Sequence, residues 1–336
     1  MQRVGVCVVG LGWMGRVHCE ALATMKDKVA LFVASRDPEK AKGFAEKFDA
    51  EGWFGDYEKP FEDERVHVID ICLPHDLHLP VALKAFEAGK HVLTEKPMAL
   101  NFDEAKRMVR AAREHGKLLA VAENMRTYDH CARARELILD GAIGEPFFVQ
   151  INHFAYYVPG GWRQPMGSAG GGSLIDVGHH YVDLAVMLGG WVDTVFASTH
   201  RKTVTEIDGE DTAILHLVYE NGTTGHLVTS FGMPGFPVAP LFIVAGNEGC
   251  IYYEHQGRGL ILHRKESEPQ LVLPLPEMGR GDWWEETIRK GVHAFVNGFF
   301  EGKEEPLSSE SGLHDMAIIE AAYKSAQTQT PVKVEA

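Results

Sequence analysis

Two short segments hold residue types that could move a proton or steady developing charge. The first, G-G-G-S-L-I-D-V-G-H-H-Y-V-D at positions 170–183, places Asp176 four residues before His180 and seven before Asp183. A triple glycine followed by Ser173 and an apolar periodic run reads as a serine-capped helix start that another part of the molecule approaches closely. On such a helix Asp176 and His180 share a face. A carboxylate beside an imidazole sets its orientation and proton affinity, which suits proton transfer near neutral pH. A buried Asp–His pair that only braces its helix fits the same residues, and both readings stand at this point. The second segment is Glu95-Lys96-Pro97, at the end of the strand-like run His91–Glu95. A lysine held there by a rigid proline could hydrogen-bond a substrate oxygen and stabilise negative charge. Taken alone, the tripeptide also describes an ordinary surface loop. His153, Asp176, His179, His180 and Asp183 could offer nitrogen and oxygen ligands to a metal. However, the adjacent His179 and His180 diverge by about 100° around a helix, and no H-E-x-x-H spacing occurs, so no metal is expected.

A third feature binds rather than reacts. Gly10-Leu11-Gly12-Trp13-Met14-Gly15 directly follows the apolar run Val4–Val9 and opens a helix. The three glycines supply a tight turn, close approach of backbone to a diphosphate, and close helix–strand contact. The helix N-terminus adds N–H groups and a positive dipole end. A bare G-x-G-x-x-G is weak evidence, but the strand–turn–helix context points to a dinucleotide. Twenty residues after Gly15, where an NAD site usually carries an acid, stand Ser35 and Arg36. A hydroxyl followed by a guanidinium suits a 2′-phosphate, so NADP is expected, with NAD as the alternative. Asp37 could reach the ribose if the strand runs two residues further, and Arg36 could instead stack on adenine.

The elements that must carry these residues fall into two styles. Up to residue 123, strands Val4–Val9, Val29–Ser35, Val66–Leu73, His91–Glu95 and Leu118–Ala122 alternate with helices Gly15–Met25, Glu39–Phe48, Leu79–Ala88 and Phe102–His115. Pro38 sits at a first-turn position and Gly89 at a left-handed cap. Such alternation predicts a doubly wound parallel sheet, an N-terminal Rossmann domain over 1–123. A helix near Asp129–Leu139 follows, then a run of strand-like segments from Pro146. Asn221-Gly222 between two of them signals a hairpin in which both turn positions take positive φ. Helices near Trp283–Phe300 and Ser309–Thr328 finish the chain. Residues 124–336 are therefore expected to form an α+β domain with a large, mainly antiparallel open sheet, an overall α/β architecture.

Composition narrows the partners. The chain has 336 residues, 45% hydrophobic and 24% charged, which is an ordinary globular profile with length enough for two cores. Its net charge of −14, from 33 basic and 47 acidic residues, argues against nucleic acid and anionic membranes and favours a small molecule. No run of about 18 apolar residues is present to span a bilayer. Cys7, Cys19, Cys72, Cys131 and Cys250 are scattered, as reduced thiols would be, and Cys7 and Cys72 read as small core residues. The chain enters its first strand within three residues, so no secretory leader is expected and the default location is cytoplasmic.

In combination these segments resemble the Gfo/Idh/MocA oxidoreductase family, over nearly the whole chain. The resemblance rests on G-L-G-W-M-G at 10–15, A-G-K-H-V-L-T-E-K-P at 88–97, D-G-A-I-G-E-P at 140–146 and the glycine-rich run at 170–183. It implies a catalytic trio in which His180 is the acid/base, Lys96 orients the reacting oxygen and Asp176 supports them. It implies that Gly10, Gly12, Trp13, Met14, Gly15, Ser35, Arg36, Leu73, Pro74, His78, Glu95, Lys96 and Asn124 line the cofactor. Glu95 would reach a cofactor ribose, Pro74 and His78 would meet the nicotinamide half, and the Lys96–Pro97 bond would be cis. Arg126, Tyr157, Trp162, Arg163, Asp176, His179 and His180 would face a sugar, sugar derivative or polyol, with Trp162, Tyr156 and Tyr157 as aromatic faces. The implied reaction is reversible hydride transfer between a hydroxyl-bearing or carbonyl carbon and NADP or NAD. His179 beside His180 leaves a choice of imidazole; His180 matches the family spacing. An enzyme cleaving glycosides with tightly bound, internally cycled NAD and a non-catalytic dinucleotide-binding regulator are the alternatives. An open sheet needs a cover, so a homodimer or homotetramer is expected.

Overall fold

The computed structural model describes residues 3–235, 239–277, 280–303 and 307–335. Val4–Val9 is buried at every position, as a strand covered on both faces must be. It is β1 of an all-parallel sheet with β2 (Val29–Ala34), β3 (Gly52–Phe54), β4 (Val68–Ile71), β5 (His91–Glu95) and β6 (Leu119–Ala122), in the order β3-β2-β1-β4-β5-β6. Helices α1 (Trp13–Ala23), α2 (Pro38–Phe48), α3 (Lys59–Glu62), α4 (His78–Glu87) and α5 (Phe102–Glu114) connect the strands. The strand order reverses between β1 and β4, and ligands of such sheets bind outside the carboxyl ends of the strands at that point. This is the doubly wound sheet the alternation predicts; the short β3 and α3 lack a periodic signal and were not expected.

The rest of the chain contains α6 (Asp129–Leu139), β7 (Pro146–Phe154), α7 (Met166–Ala169), α8 (Gly178–Gly189), β8 (Val192–His200), β9 (Thr212–Tyr219) and β10 (Thr224–Ser230). It continues through β11 (Phe242–Gly246), β12 (Gly249–Glu254), β13 (Gly259–Arg264), β14 (Gln270–Pro274), α9 (Arg280–Glu301), α10 (Ser309–Thr328) and β15 (Val332–Lys333). Nine strands form one sheet in the order β14-β13-β12-β11-β7-β10-β9-β8-β15. Every junction is antiparallel except β7 with β10. Helix α8 packs on β7 and β10 and is buried at all of its residues. Along β9 burial alternates, so the opposite face of the sheet presents Ile214 and His216, with Phe196 of β8 beside them.

The chain divides into two compact units, Met1–Thr127 with Gly279–Leu313, and Tyr128–Met278 with His314–Ala336. Helix α9 thus counts with the parallel sheet, whereas the boundary expected at residue 123 puts it in the second domain. The reason is packing. Val292, Phe295 and Val296 of α9 are buried in one cluster with Val6, Val8, Leu22 and Leu31, each apolar side chain contributing about 1.5–3 kcal/mol.

Two local expectations are corrected. The helix after the triple glycine begins at Gly178, not at a Ser173 cap, and residues 173–177 form irregular turns. Ser173 Oγ donates to the Thr229 carbonyl at 3.4 Å instead of capping, so Asp176 precedes the helix that carries His180. At the β9–β10 turn only Gly222 has positive φ, +85°. Its N–H donates to Tyr219 O, and Tyr219 N–H donates to Thr223 O, giving a three-residue loop with glycine at the left-handed position rather than a two-residue turn.

Candidate active site

In the first unit, the glycine loop is built as its three glycines require. Gly10 has φ +101°, and a Cβ there would lie 2.3 Å from the Cys72 carbonyl oxygen. A Cβ on Gly15 would lie 2.0 Å from Gly10 O, so the helix can approach its strand only with glycine there. Around Gly12 a Cβ would meet nothing within 4 Å, and no side chain caps the N-terminus of α1 at this residue. An uncapped helix start with open space in front of it fits the diphosphate of a dinucleotide. Trp13 is exposed, its indole donating to Glu285 Oε1 at 3.1 Å, and Met14 is half-buried.

At the end of β2, Asp37 caps α2: its Oδ1 accepts from the N–H groups of Glu39 and Lys40 at 3.1 and 3.2 Å. The Asp37 N–H in turn donates to Ser35 Oγ at 3.1 Å. Arg36 is exposed at the strand end. This edge presents Ser35, the exposed Arg36 and Asp37, the last with one carboxylate oxygen engaged in the cap.

Beside the switch point, β4 and β5 deliver the remaining residues of this unit. Leu73 and Pro74 are half-buried after β4. His78 is wholly buried, with Nδ1 at 2.9 Å from Pro97 O and Nε2 at 2.9 Å from Leu73 O. Burial lowers its proton affinity below the ordinary imidazole value. His78 therefore braces the two loops from inside. The Lys96–Pro97 bond is cis, and Lys96 is half-buried. Asn124 is buried and donates through Nδ2 to Thr287 Oγ1 at 2.5 Å, tying the end of β6 to α9. Arg126 follows in the same short helical turn, half-buried.

Glu95 is held from beneath by residues that the sequence reading passed over. Its Oε1 lies 3.0 Å from His18 Nε2, and its Oε2 accepts the Lys96 N–H at 3.2 Å. His18 Nδ1 lies 2.8 Å from Asp70 Oδ2, and the Cys72 thiol is 3.8 Å from Asp70 Oδ1. The His18 and Asp70 side chains are fully buried and that of Glu95 nearly so. One signal was available: a lone aspartate inside the V-I-D-I strand, buried on both faces, needs a partner.

In the second unit, Asp176 and the imidazoles of His179 and His180 are all buried, within five residues of chain. Arg163 Nε lies 3.4 Å from Asp176 Oδ2, and the same guanidinium sits 4.3 Å from the Trp162 ring centre. Tyr157 is exposed and packs edge-on against Phe231 at 5.5 Å, and its neighbour Tyr156 is exposed too. The His153 ring stacks on Tyr181 at 4.6 Å.

The close approach that the triple glycine signals comes from Glu210, also unforeseen. A Cβ on Gly172 would lie 1.9 Å from Glu210 O, and one on Gly171 would lie 2.1 Å from Tyr323 Oη. The buried Glu210 carboxylate accepts from Gly172 N–H at 3.1 Å, Leu174 N–H at 2.7 Å and Tyr323 Oη at 3.2 Å. Burial raises its proton affinity even so. Glu210 thereby fixes the turns that carry Asp176, 34 residues earlier in the chain; no local pattern announces such a pairing.

Among the described residues, three or more side chains able to ligate a metal converge only at His18, Asp70 and Cys72. The 2.8 Å from His18 Nδ1 to Asp70 Oδ2 is shorter than the ~3.3 Å between two ligands of a tetrahedral zinc. Burial and the Asp70 charge push the Cys72 thiol up to about 12, which keeps it protonated. The cluster is a hydrogen-bonded chain. Also among the described residues, no helix is long and apolar enough to cross a membrane, and the five cysteines form no disulfide.

Comparison with known proteins adds the following. The family model described as "Oxidoreductase family, NAD-binding Rossmann fold" matches residues 4–123, and the GFO/IDH/MocA C-terminal domain matches residues 131–252. Levoglucosan dehydrogenase of Pseudarthrobacter phenanthrenivorans is 27% identical over 98% of this chain and 99% of its own length. A scyllo-inositol 2-dehydrogenase (NADP(+)) of Bacillus subtilis is 27% identical over 100% of this chain and 97% of its own. A solved levoglucosan dehydrogenase in complex with NADH and levoglucosan superposes with a TM-score of 0.89 at 26% identity, covering 100% of both chains.

Proposed function

The chain belongs to the GFO/IDH/MocA oxidoreductase family, whose first domain binds NAD on a Rossmann fold, and from that premise we propose a sugar or polyol dehydrogenase that prefers NADP. The observation that carries the dinucleotide part is the uncapped start of α1 with open space at Gly12. The preference for NADP rests on Ser35 and the exposed Arg36 at the end of β2, where Asp37 is engaged in capping. The substrate class rests on the full-length relatives, which act on levoglucosan and scyllo-inositol by name.

Lys96, Asp176 and His180 carry the chemistry in this reading. The bound dinucleotide supplies a hydride acceptor or donor. In the oxidative direction the His180 imidazole takes the hydroxyl proton as the C–H bond gives up its hydride, and in reduction it returns that proton. Lys96 donates a hydrogen bond to the reacting oxygen, and Asp176, paired with Arg163, supports the imidazole. Tyr157, Trp162, Arg163 and Arg126 bind the remaining hydroxyls and the ring face. His179, wholly buried beside His180 in the chain, completes the substrate-side set in this reading. The same reading makes the protein a cytoplasmic homodimer or homotetramer: the cysteines carry no disulfide, and the outer face of the nine-stranded sheet exposes Phe196 and Ile214.

The test is a side-by-side assay of NADP⁺ and NAD⁺ reduction with levoglucosan, inositols and aldoses, together with light scattering on the purified chain. Turnover of a sugar or polyol with NADP⁺ favoured is the expected result. No turnover across that panel would overturn the substrate class, preference for NAD⁺ would overturn the cofactor reading, and a monomer would overturn the assembly.

A further inference from the structure

Asp70, His18 and Glu95 form an unbroken buried chain that joins three elements of the nucleotide-binding unit. Asp70 lies on β4, Glu95 ends β5, and His18 is on α1, whose N-terminus forms the glycine loop. The two carboxylates sit 2.8 and 3.0 Å from opposite nitrogens of one imidazole. The outer Glu95 oxygen accepts the amide of Lys96, at the crevice.

We propose that His18 is a positioning residue: as an imidazolium held between Asp70 and Glu95, it fixes the Glu95 carboxylate and, through it, the main chain of Lys96 at the cofactor crevice. The proposal rests on the dinucleotide-dependent reading above and extends it to a residue behind the site. Its geometry is demanding. A neutral imidazole donates from one nitrogen only, so facing two ionised carboxylates it would leave one of them buried against a lone pair. A doubly protonated ring satisfies both, and a buried carboxylate left without its donor is costly. The titratable groups around the ring are Asp70 and Cys72 at β4, Glu95 at β5 and Cys19 on its own helix, with Cys7 of β1 facing Asp70. Burial raises all three thiols, so they stay neutral donors. Burial by itself would strip the proton from His18; the charge of Asp70 and its hydrogen bond outweigh that and hold the imidazole well above its ordinary range. The chain also couples the helix that receives the diphosphate to the two strand ends on the far side of the switch point, so a loose His18 loosens cofactor and lysine together.

Three measurements on the full chain test this. Nitrogen-15 shifts of labelled histidine, read without cofactor, should show both His18 nitrogens protonated at pH 8; a neutral ring there overturns the proposal. His18→Gln should weaken NADPH and NADH binding roughly 10- to 100-fold, followed by fluorescence titration. Binding within twofold of the wild type, with only the melting temperature lowered, means the residue is merely structural and also overturns it. Wild-type affinity should be flat between pH 6 and 9. Asp70→Asn removes the charge that keeps His18 protonated, so its affinity should fall as pH rises through the imidazole range; a flat profile overturns the proposal. If His18→Gln does not fold, the nitrogen shifts of the wild type decide. Failure of the wild type to bind either dinucleotide would instead sink the oxidoreductase reading, and the two failures are distinguishable because the shifts need no ligand.

Discussion

Arg163 Nε lies 3.4 Å from Asp176 Oδ2, with the guanidinium one-third exposed and the carboxylate almost fully buried. The cation thus reaches in from the surface side of the glycine-rich turns while its plane rests on Trp162. Arg163→Ala should lower kcat/KM by about 5-fold, since an ion pair whose cation is partly solvent-reached contributes up to about 1 kcal/mol. Arg163→Lys should recover only part of that, because an ammonium cannot stack on Trp162 and present an N–H to Asp176 at once. Steady-state kinetics with the preferred sugar would show it, and full activity in Arg163→Ala would remove Arg163 from the site.

Arg36→Ala separates the two roles open to this residue. Loss of a 2′-phosphate contact should raise the Kd for NADPH about 10- to 100-fold and leave NADH within a factor of about three. Equal weakening of both dinucleotides, measured by titration calorimetry, would mean that the guanidinium stacks on adenine instead.

His180→Asn and His179→Asn decide which imidazole acts. Removal of the acid/base should cost roughly 10²- to 10⁴-fold in kcat with dinucleotide affinity unchanged. His179, with no exposed surface, should instead lower the urea midpoint and spare kcat in the folded fraction. The reverse pattern would transfer the role to His179.

His314 should give the protein an acid limit. Burial lowers its imidazole to about 4, and its Nε2 accepts the Val192 N–H at 3.1 Å. The unfolded chain binds that proton near pH ~6.5. Between those values the unfolded state holds more protons, so stability is fully present above about 6.5 and is lost as pH falls toward 4, by about 3 kcal/mol. His314→Gln keeps an acceptor for Val192 and should flatten that slope between pH 7 and 4.5 in urea titrations. An unchanged slope would assign the acid limit to other groups.

Chelators should leave turnover unaffected. His18, Asp70 and Cys72 are within reach of one another but are spaced as hydrogen-bonded groups. Activity lost to EDTA and restored by zinc would show that the cluster, or another set, holds a metal.

What the sequence by itself determined is what repeats along the chain or is fixed by a few neighbouring residues. The all-apolar Val4–Val9 run, the glycines at 10, 12 and 15, the helix start at Pro38 and the span Ser309–Thr328 were all legible, because periodicity and local backbone chemistry act within a turn or a strand. The second sheet was legible as mainly antiparallel, but its parallel β7–β10 junction was not, since pairing order is set by which edges meet. The tertiary structure alone decided the partners of buried polar groups. His18 meets Asp70 across 52 residues and Glu95 across 77, and Glu210 reaches back to Leu174 across 36. It decided that Ser173 would bond Thr229 and let the helix begin at Gly178, and that α9 would close the first core. Hydrophobic patterning says which side chain is buried, but the free energy of a buried charge depends on what stands 3 Å away, and that is set by strand order and helix packing, not by sequence distance.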